Sequence, residues 1–151
     1  MNALPTKILV ATDGSETAAL AARRAAGMAQ AFGSELHMVH VVPVAQTYHL
    51  AGIDAEGPDL YEEDKQWARN MLDGQVRLVE ESGGKVAKAY LREGEPDAEV
   101  VSLGEEIGAN MIVTGSRGLS RMRRPIGSVS SSIAAHAHCP VLVVRAEGST
   151  L

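Results

Sequence analysis

Short apolar runs alternate along this chain with longer stretches of helical periodicity. Residues 7–12, "KILVAT", are compact and β-branched, as a buried strand requires. Residues 13–32 follow with Leu20, Ala21, Ala25, Met28 and Ala29 spaced for one helical face, and Gly33 stands where such a helix ends. A second strand is predicted over 35–44. Residues 45–58 read as a long excursion broken by Gly52, Gly57 and Pro58. Helical spacing returns over 59–82, where Leu60, Trp67, Met71, Leu72, Val76 and Val79 supply the apolar face and Gly74 weakens its middle. At that spacing Trp67 reads as core.

Residues 85–94 alternate, with Val86 and Tyr90 beside Lys88 and Arg92 on one face and Ala87, Ala89 and Leu91 on the other. Lysine-bearing alternation predicts an edge strand. Pro96 suits a first helical turn, with Glu95, Asp97 and Glu99 near the positive end of its dipole, and that helix runs to about Gly108. A strand over 109–115, a helix over 128–138 and a strand over 139–145 complete the chain. Strand–helix repetition with buried apolar runs implies parallel strands joined by right-handed crossovers. The expected fold is one doubly wound α/β domain over 1–151, a five-stranded, mostly parallel sheet with helices on both faces. Ligands of such sheets bind beyond the carboxyl ends of the strands, at a topological switch point. The loops 12–15, 42–58 and 115–127 are therefore the places to find a site.

Composition narrows the function. Aromatic residues are 3% of the chain, too few for base-stacking platforms, and the net charge of −5 argues against a general polyanion binder. No nucleic-acid partner is expected. Cys139 is the only cysteine, which excludes an internal disulfide and fits a reducing compartment. The N-terminal residues do not read as a signal peptide, and no 18-residue apolar run occurs. The expectation is a cytoplasmic protein with no membrane partner.

The chemistry concentrates in residues 115–130, "GSRGLSRMRRPIGSVS". Gly115 and Gly118 follow a strand, and Gly127-Ser128 precede a helix. Glycine leaves backbone N–H groups open to a ligand, and a helix N-terminus collects phosphates. Ser128 and Ser130 offer hydroxyls, and the arginines at 117, 121, 123 and 124 offer charge. The plainer alternative is a flexible connection, with Ser128 only an N-cap and the arginines only a solvated face. The spacing is neither a Walker-type P-loop nor, after the first strand, a G-x-G-x-x-G dinucleotide loop.

Other candidates carry plain readings too. Asp13 caps the first helix in one reading, with Glu16 completing a capping box and Ser15 as a rival cap. "HAHC" at 136–139 offers two His and a Cys, but a metal needs three or four converging ligands, and His suits a helix C-terminus without one. No metal is assigned. His37 and His40 lie on opposite faces of one strand and cannot chelate together. Cys139 reads as packing. No Ser/His/Asp arrangement can be assembled, and no catalytic residue is assigned.

Three blocks, "KILVATDGS", "GANMIVTGSRG" and "GSVSSSIAAHAHCPVLVVR", together resemble the universal stress protein family across essentially the whole chain, most loosely over 45–75. The resemblance implies the family's flavodoxin-like sheet, a relative of the adenine nucleotide alpha hydrolases. It implies ATP as ligand, with Mg as its accompanying cation, through the family's G-x2-G-x9-G-[ST] motif. Gly115 and Gly118 match the first two glycines, against the ribose and phosphates. Gly127 and Ser128 match the closing pair, and Val129 and Ser130 continue the phosphate contacts. Arg117 lies between the first two glycines, and Thr114 just before them. Asp13, preceded by Ala11 and Thr12, matches the acidic residue facing adenine, and Val41 matches the strand-two residue whose backbone meets the base. Similar proteins commonly dimerise through the last strand, here about Cys139 to Arg145, so a homodimer is expected. The function implied is a nucleotide-binding stress sensor or regulator. The alternatives are a dimer acting by protein–protein contact without ATP, and a weak ATPase. One departure stands out: Gly118 and Gly127 are separated by eight residues instead of nine, with Pro125 among them.

Overall fold

The computed structural model describes residues 4–42, 58–117 and 126–145. Five strands and four helices alternate along them: β1 (Lys7–Ala11), α1 (Glu16–Phe32), β2 (Glu35–Val42), α2 (Pro58–Glu81), β3 (Lys88–Glu93), α3 (Pro96–Ile107), β4 (Met111–Gly115), α4 (Ser128–His136) and β5 (Val141–Val144). The sheet order is β3-β2-β1-β4-β5, and every pairing is parallel. This is the doubly wound five-stranded domain that the alternation of strand and helix predicts.

Period-two alternation in the central strands builds two cores at once. Ile8 and Val10 of β1, with Leu36 and Met38 of β2, turn toward α1 and α2. Leu9, Val39 and Ile112 turn the other way, onto Val100 and Leu103 of α3 and Ile133 of α4. α1 meets the sheet through six buried alanines, Ala18, Ala21, Ala22, Ala25, Ala26 and Ala29. Side chains that small let the helix backbone lie close against the strands. Gly33 ends it at φ 71°, a left-handed conformation that glycine takes without a Cβ penalty.

Several local expectations need correction. Trp67 is not core; it is 58% exposed. Ala68, Leu72 and Val79 form the buried stripe of α2, and one residue is about 100° of helical rotation. Trp67 precedes Ala68 and Leu78 precedes Val79, so both are carried to the solvent side. Gly74 does not interrupt this helix. β3 is shorter than its alternation suggests: Val86 lies before the strand and packs with the α1–α2 core, away from Tyr90. Both β3 and β5 are edge strands, which leaves the 139–145 segment at the border of the sheet. The excursion at 45–57 lies outside the described residues. Among those described, no helix is long and apolar enough to cross a membrane.

Candidate functional site

The chain runs β1, β2, β3 to one side of the sheet and then returns to place β4 on the other side of β1. α1 leaves the end of β1 toward one face, and α4 follows β4 on the opposite face. The gap between the carboxyl ends of β1 and β4 is the topological switch point, where doubly wound sheets hold ligands.

After β1, the loop is tied down residue by residue. Half-buried Ala11 ends the strand, and the buried Thr12 donates its N–H to the Val39 carbonyl at 2.9 Å. Thr12 Oγ1 accepts from the Gly14 N–H at 3.2 Å, and Asp13 Oδ1 accepts from the Ser15 N–H at 2.9 Å. Gly14 turns the chain at φ 85°, with Met71 Cγ of α2 only 3.0 Å from where a Cβ would sit. Ser15 is the N-cap of α1, its Oγ accepting from the Ala18 N–H at 3.1 Å. The capping-box reading of Asp13 is therefore wrong. Its carboxylate braces the turn one step earlier, because the helix begins at Glu16.

After β4, Thr114, Gly115 and Ser116 are buried and Arg117 is exposed. A Cβ on Gly115 would stand 2.9 Å from Thr17 Cγ2 and 3.2 Å from the Thr17 carbonyl carbon. Glycine here lets the first turn of α1 lie against the end of β4. From the other face, Ser130 donates its hydroxyl to the Gly115 carbonyl at 2.5 Å, and Thr114 Oγ1 lies 3.2 Å from the Ser130 hydroxyl oxygen. The Gly127 N–H donates to the Ser116 carbonyl at 2.6 Å. Two helix N-termini thus converge on one strand end.

The start of α4 differs from the Ser128 N-cap alternative. Gly127 is the cap residue, no side chain caps it, and Ser128 is already helical. The Ser131 N–H closes the first turn onto the Gly127 carbonyl at 3.0 Å. That leaves the N–H groups of Ser128, Val129 and Ser130 without intrahelical acceptors, at the positive end of the helix. Ser128 and Val129 are exposed. Ser130 is buried and its hydroxyl proton is used on Gly115, so an anion would meet its N–H and not its side chain. Val41 lies in β2, its side chain packed with α3 and α4. Gly118, Arg121, Arg123, Arg124 and Pro125 lie outside the described residues.

Elsewhere the fold assembles a grouping that the sequence does not reveal. Asp97 of α3 and Ser132 and His136 of α4 line a groove of about 410 Å³ with Val101 and Glu105. Ser132 donates to Asp97 Oδ2 at 2.6 Å, and His136 Nδ1 donates to the Ser132 carbonyl at 2.9 Å. The Ser132 hydroxyl holds the Asp97 carboxyl below its ordinary value. The serine proton goes to the carboxylate, so the order is wrong for a nucleophile activated by imidazole. The i, i+4 spacing of Ser132 and His136 was the available signal, but only packing brings Asp97 to them. His138 pairs instead with Glu105 at 2.5 Å. Cys139 packs against the α3–α4 core, and burial pushes its thiol up.

Comparison with known proteins agrees with this geometry. The model of the universal stress protein family matches residues 5–145. A Staphylococcus aureus protein named "Putative universal stress protein" is 37% identical over 142 residues, 93% of this chain and 84% of that one. A hypothetical protein whose biochemical function was assigned from its structure superposes with a TM-score of 0.80 at 28% identity, covering 95% of this chain and 98% of that one. The universal stress protein from Archaeoglobus fulgidus in complex with dAMP superposes at 0.70 with 26% identity, covering 95% and 99%.

Proposed function

The chain belongs to the universal stress protein family, and from that premise we propose that it binds ATP or a related adenine nucleotide at the switch point. The observation that carries this reading is the start of α4, where three N–H groups without intrahelical acceptors stand beside the Gly115–Ser116 turn. In this reading Ser128, Val129 and Ser130 hold phosphate through their backbone, with Gly127 and Gly118 giving close approach and Arg117 adding charge. Mg accompanies the phosphates. Thr114 and Gly115 form the wall beside the ribose, and Ala11, Thr12, Asp13 and Val41 border the base. The dAMP complex of the Archaeoglobus relative supports an adenine nucleotide and leaves the phosphate count to this chain's own loop.

The reading makes the protein a cytoplasmic sensor or regulator with no catalytic residue. Nucleotide acts by favouring one state of the loops or of a dimer, which requires different affinity for the two states. The dimer forms through β5, an edge strand with β4 on one side and no described strand on the other. The test is direct: denature freshly purified protein and identify the released nucleotide by chromatography and mass spectrometry, then titrate ATP into the emptied protein by calorimetry. Absence of both released nucleotide and binding heat would refute the reading.

A second reading has its own observation. Gly118 and Gly127 are separated by eight residues, one fewer than the family's ATP-binding motif. If that shortening removes the triphosphate site, the protein acts as a dimer through protein contacts alone. The same calorimetry separates the two, and sedimentation with and without ATP shows whether the dimer needs the ligand.

A further inference from the structure

The end of β1 holds a substitution in the hydrogen-bond ladder. β1 and β2 pair in parallel with Ala11 opposite Val39, which puts Thr12 opposite His40. Thr12 continues the ladder with its N–H, which donates to the Val39 carbonyl at 2.9 Å. In a continuing parallel ladder its carbonyl would take the next donor on that side, the Val41 N–H. It does not. The Thr12 carbonyl instead accepts from the His40 side chain, Nδ1 to O at 2.8 Å. Since a carbonyl only accepts, Nδ1 carries the proton.

The consequence falls on Val41. The Gly94 N–H donates to the Val42 carbonyl, so residues 40 and 42 turn their backbone groups toward β3. Residues 39 and 41 therefore turn theirs toward β1. β1 ends at Ala11, so the N–H and carbonyl of Val41 point past its last residue, toward the loop that follows β1. The imidazole donates to the main-chain acceptor that a continuing ladder would offer to the Val41 N–H.

We infer that His40 is a positioning residue for base recognition: by taking the Thr12 carbonyl, it keeps the Val41 N–H and carbonyl available as a donor–acceptor pair that selects adenine. The inference rests on the nucleotide reading above. A donor beside an acceptor complements adenine, whose N1 accepts and whose N6 amino group donates. Guanine and hypoxanthine present an N1–H donor beside an O6 acceptor. With the ribose and phosphates held by the other loops, they place like groups opposite like. His40 touches no ligand atom in this scheme; it decides which backbone groups remain for the base.

The test compares ATP and GTP binding by calorimetry in wild type, His40→Phe and His40→Asn. Asparagine can place an amide N–H where Nδ1 stands, and phenylalanine keeps the ring but donates nothing. In His40→Phe the Thr12 carbonyl recovers the Val41 N–H. ATP affinity then falls about fivefold to tenfold, the size of one hydrogen bond, while GTP affinity changes little. His40→Asn restores the preference for ATP. Amide exchange by NMR gives an independent readout, because the ligand-free Val41 amide becomes more protected in His40→Phe than in wild type. Melting temperatures confirm that each variant is folded. Equal loss for ATP and GTP, no loss, or an unchanged Val41 amide overturns the role of His40 and leaves nucleotide binding standing. Wild type that binds no adenine nucleotide overturns the nucleotide reading and this inference together.

Discussion

Replacing Gly115 by alanine separates the demands of the fold from those of a ligand. The added Cβ would stand 2.9 Å from Thr17 Cγ2, 3.2 Å from the Thr17 carbonyl carbon and 3.3 Å from its oxygen. A rotamer change of Thr17 relieves the first contact and neither of the others, which are backbone. The first turn of α1 must therefore move off β4, while Ser130 holds the Gly115 carbonyl from the opposite face. Overpacking of this kind costs about 1–3 kcal/mol. For a domain of this size that lowers Tm by roughly 2–12 °C. Gly127→Ala is the matched control. Its Cβ would lie 3.4 Å from the Ser116 carbonyl oxygen, at φ −66° and ψ 163°, an ordinary extended conformation. Its cost is about 1 kcal/mol or less, set by the poorer N-cap. Thermal unfolding of both variants without ligand is the assay. Adding Thr17→Ser to Gly115→Ala removes the methyl at 2.9 Å and should recover part of the loss. A Gly115→Ala protein melting with wild type would refute the close approach of α1 to β4. In that case this glycine would need its explanation from the ligand alone.

Three further outcomes follow from contacts already described. Ser15→Ala removes the acceptor for the Ala18 N–H at the start of α1 and should cost about 1 kcal/mol in denaturant unfolding; an unchanged midpoint would place the cap elsewhere. Burial pushes the His37 imidazole below its ordinary value of 6.5, against Glu35, which draws it up, and with Lys7 and Lys88, which push it further down. The Tyr90 hydroxyl lies 3.1 Å from its Nδ1. The unfolded chain binds the proton more readily, so this stabilisation is complete above pH 6.5 and is lost as pH falls toward the folded value. Melts from pH 8 to 5 should lose less Tm in His37→Phe than in wild type, and equal slopes would contradict the assignment. Asp97 has the same sign in a more acidic window, since a carboxyl held low stabilises above its ordinary value and stops doing so as pH falls through the folded value. Ser132→Ala removes the largest cause, so an NMR titration should show the Asp97 carboxyl moving up; no movement would mean that other contacts hold it.

Much of the architecture was legible because strand and helix have different periods. "KILVAT" and "ANMIVTG" could be placed as buried strands from composition alone, and Gly33 marked a helix end by the conformation it permits. Gly115, Gly127 and Ser128 were placed at the right ends of the right elements for the same reason. Helical spacing puts Trp67 in the core, yet it is exposed because the buried stripe of α2 runs through Ala68, Leu72 and Val79, one residue out of phase with it. Asp13 and Ser15 are two good caps two positions apart, and only the position of the first helical residue chooses between them. Ser130 was counted among phosphate-facing hydroxyls, yet its side chain turns inward to Gly115.

The sequence by itself determined the order of elements, the parallel sheet and the family, all of which follow from local periodicity and contiguous motifs. Tertiary structure alone decided which groups meet across that order. Gly115 is squeezed by Thr17, 98 positions earlier in the chain. Asp97 receives the Ser132 hydroxyl from another helix. The Thr12 carbonyl is claimed by His40 and not by the Val41 N–H. Each depends on strand register and on the angle at which a helix crosses the sheet. Those quantities come from the packing of two cores at once, and no window of neighbouring residues contains them.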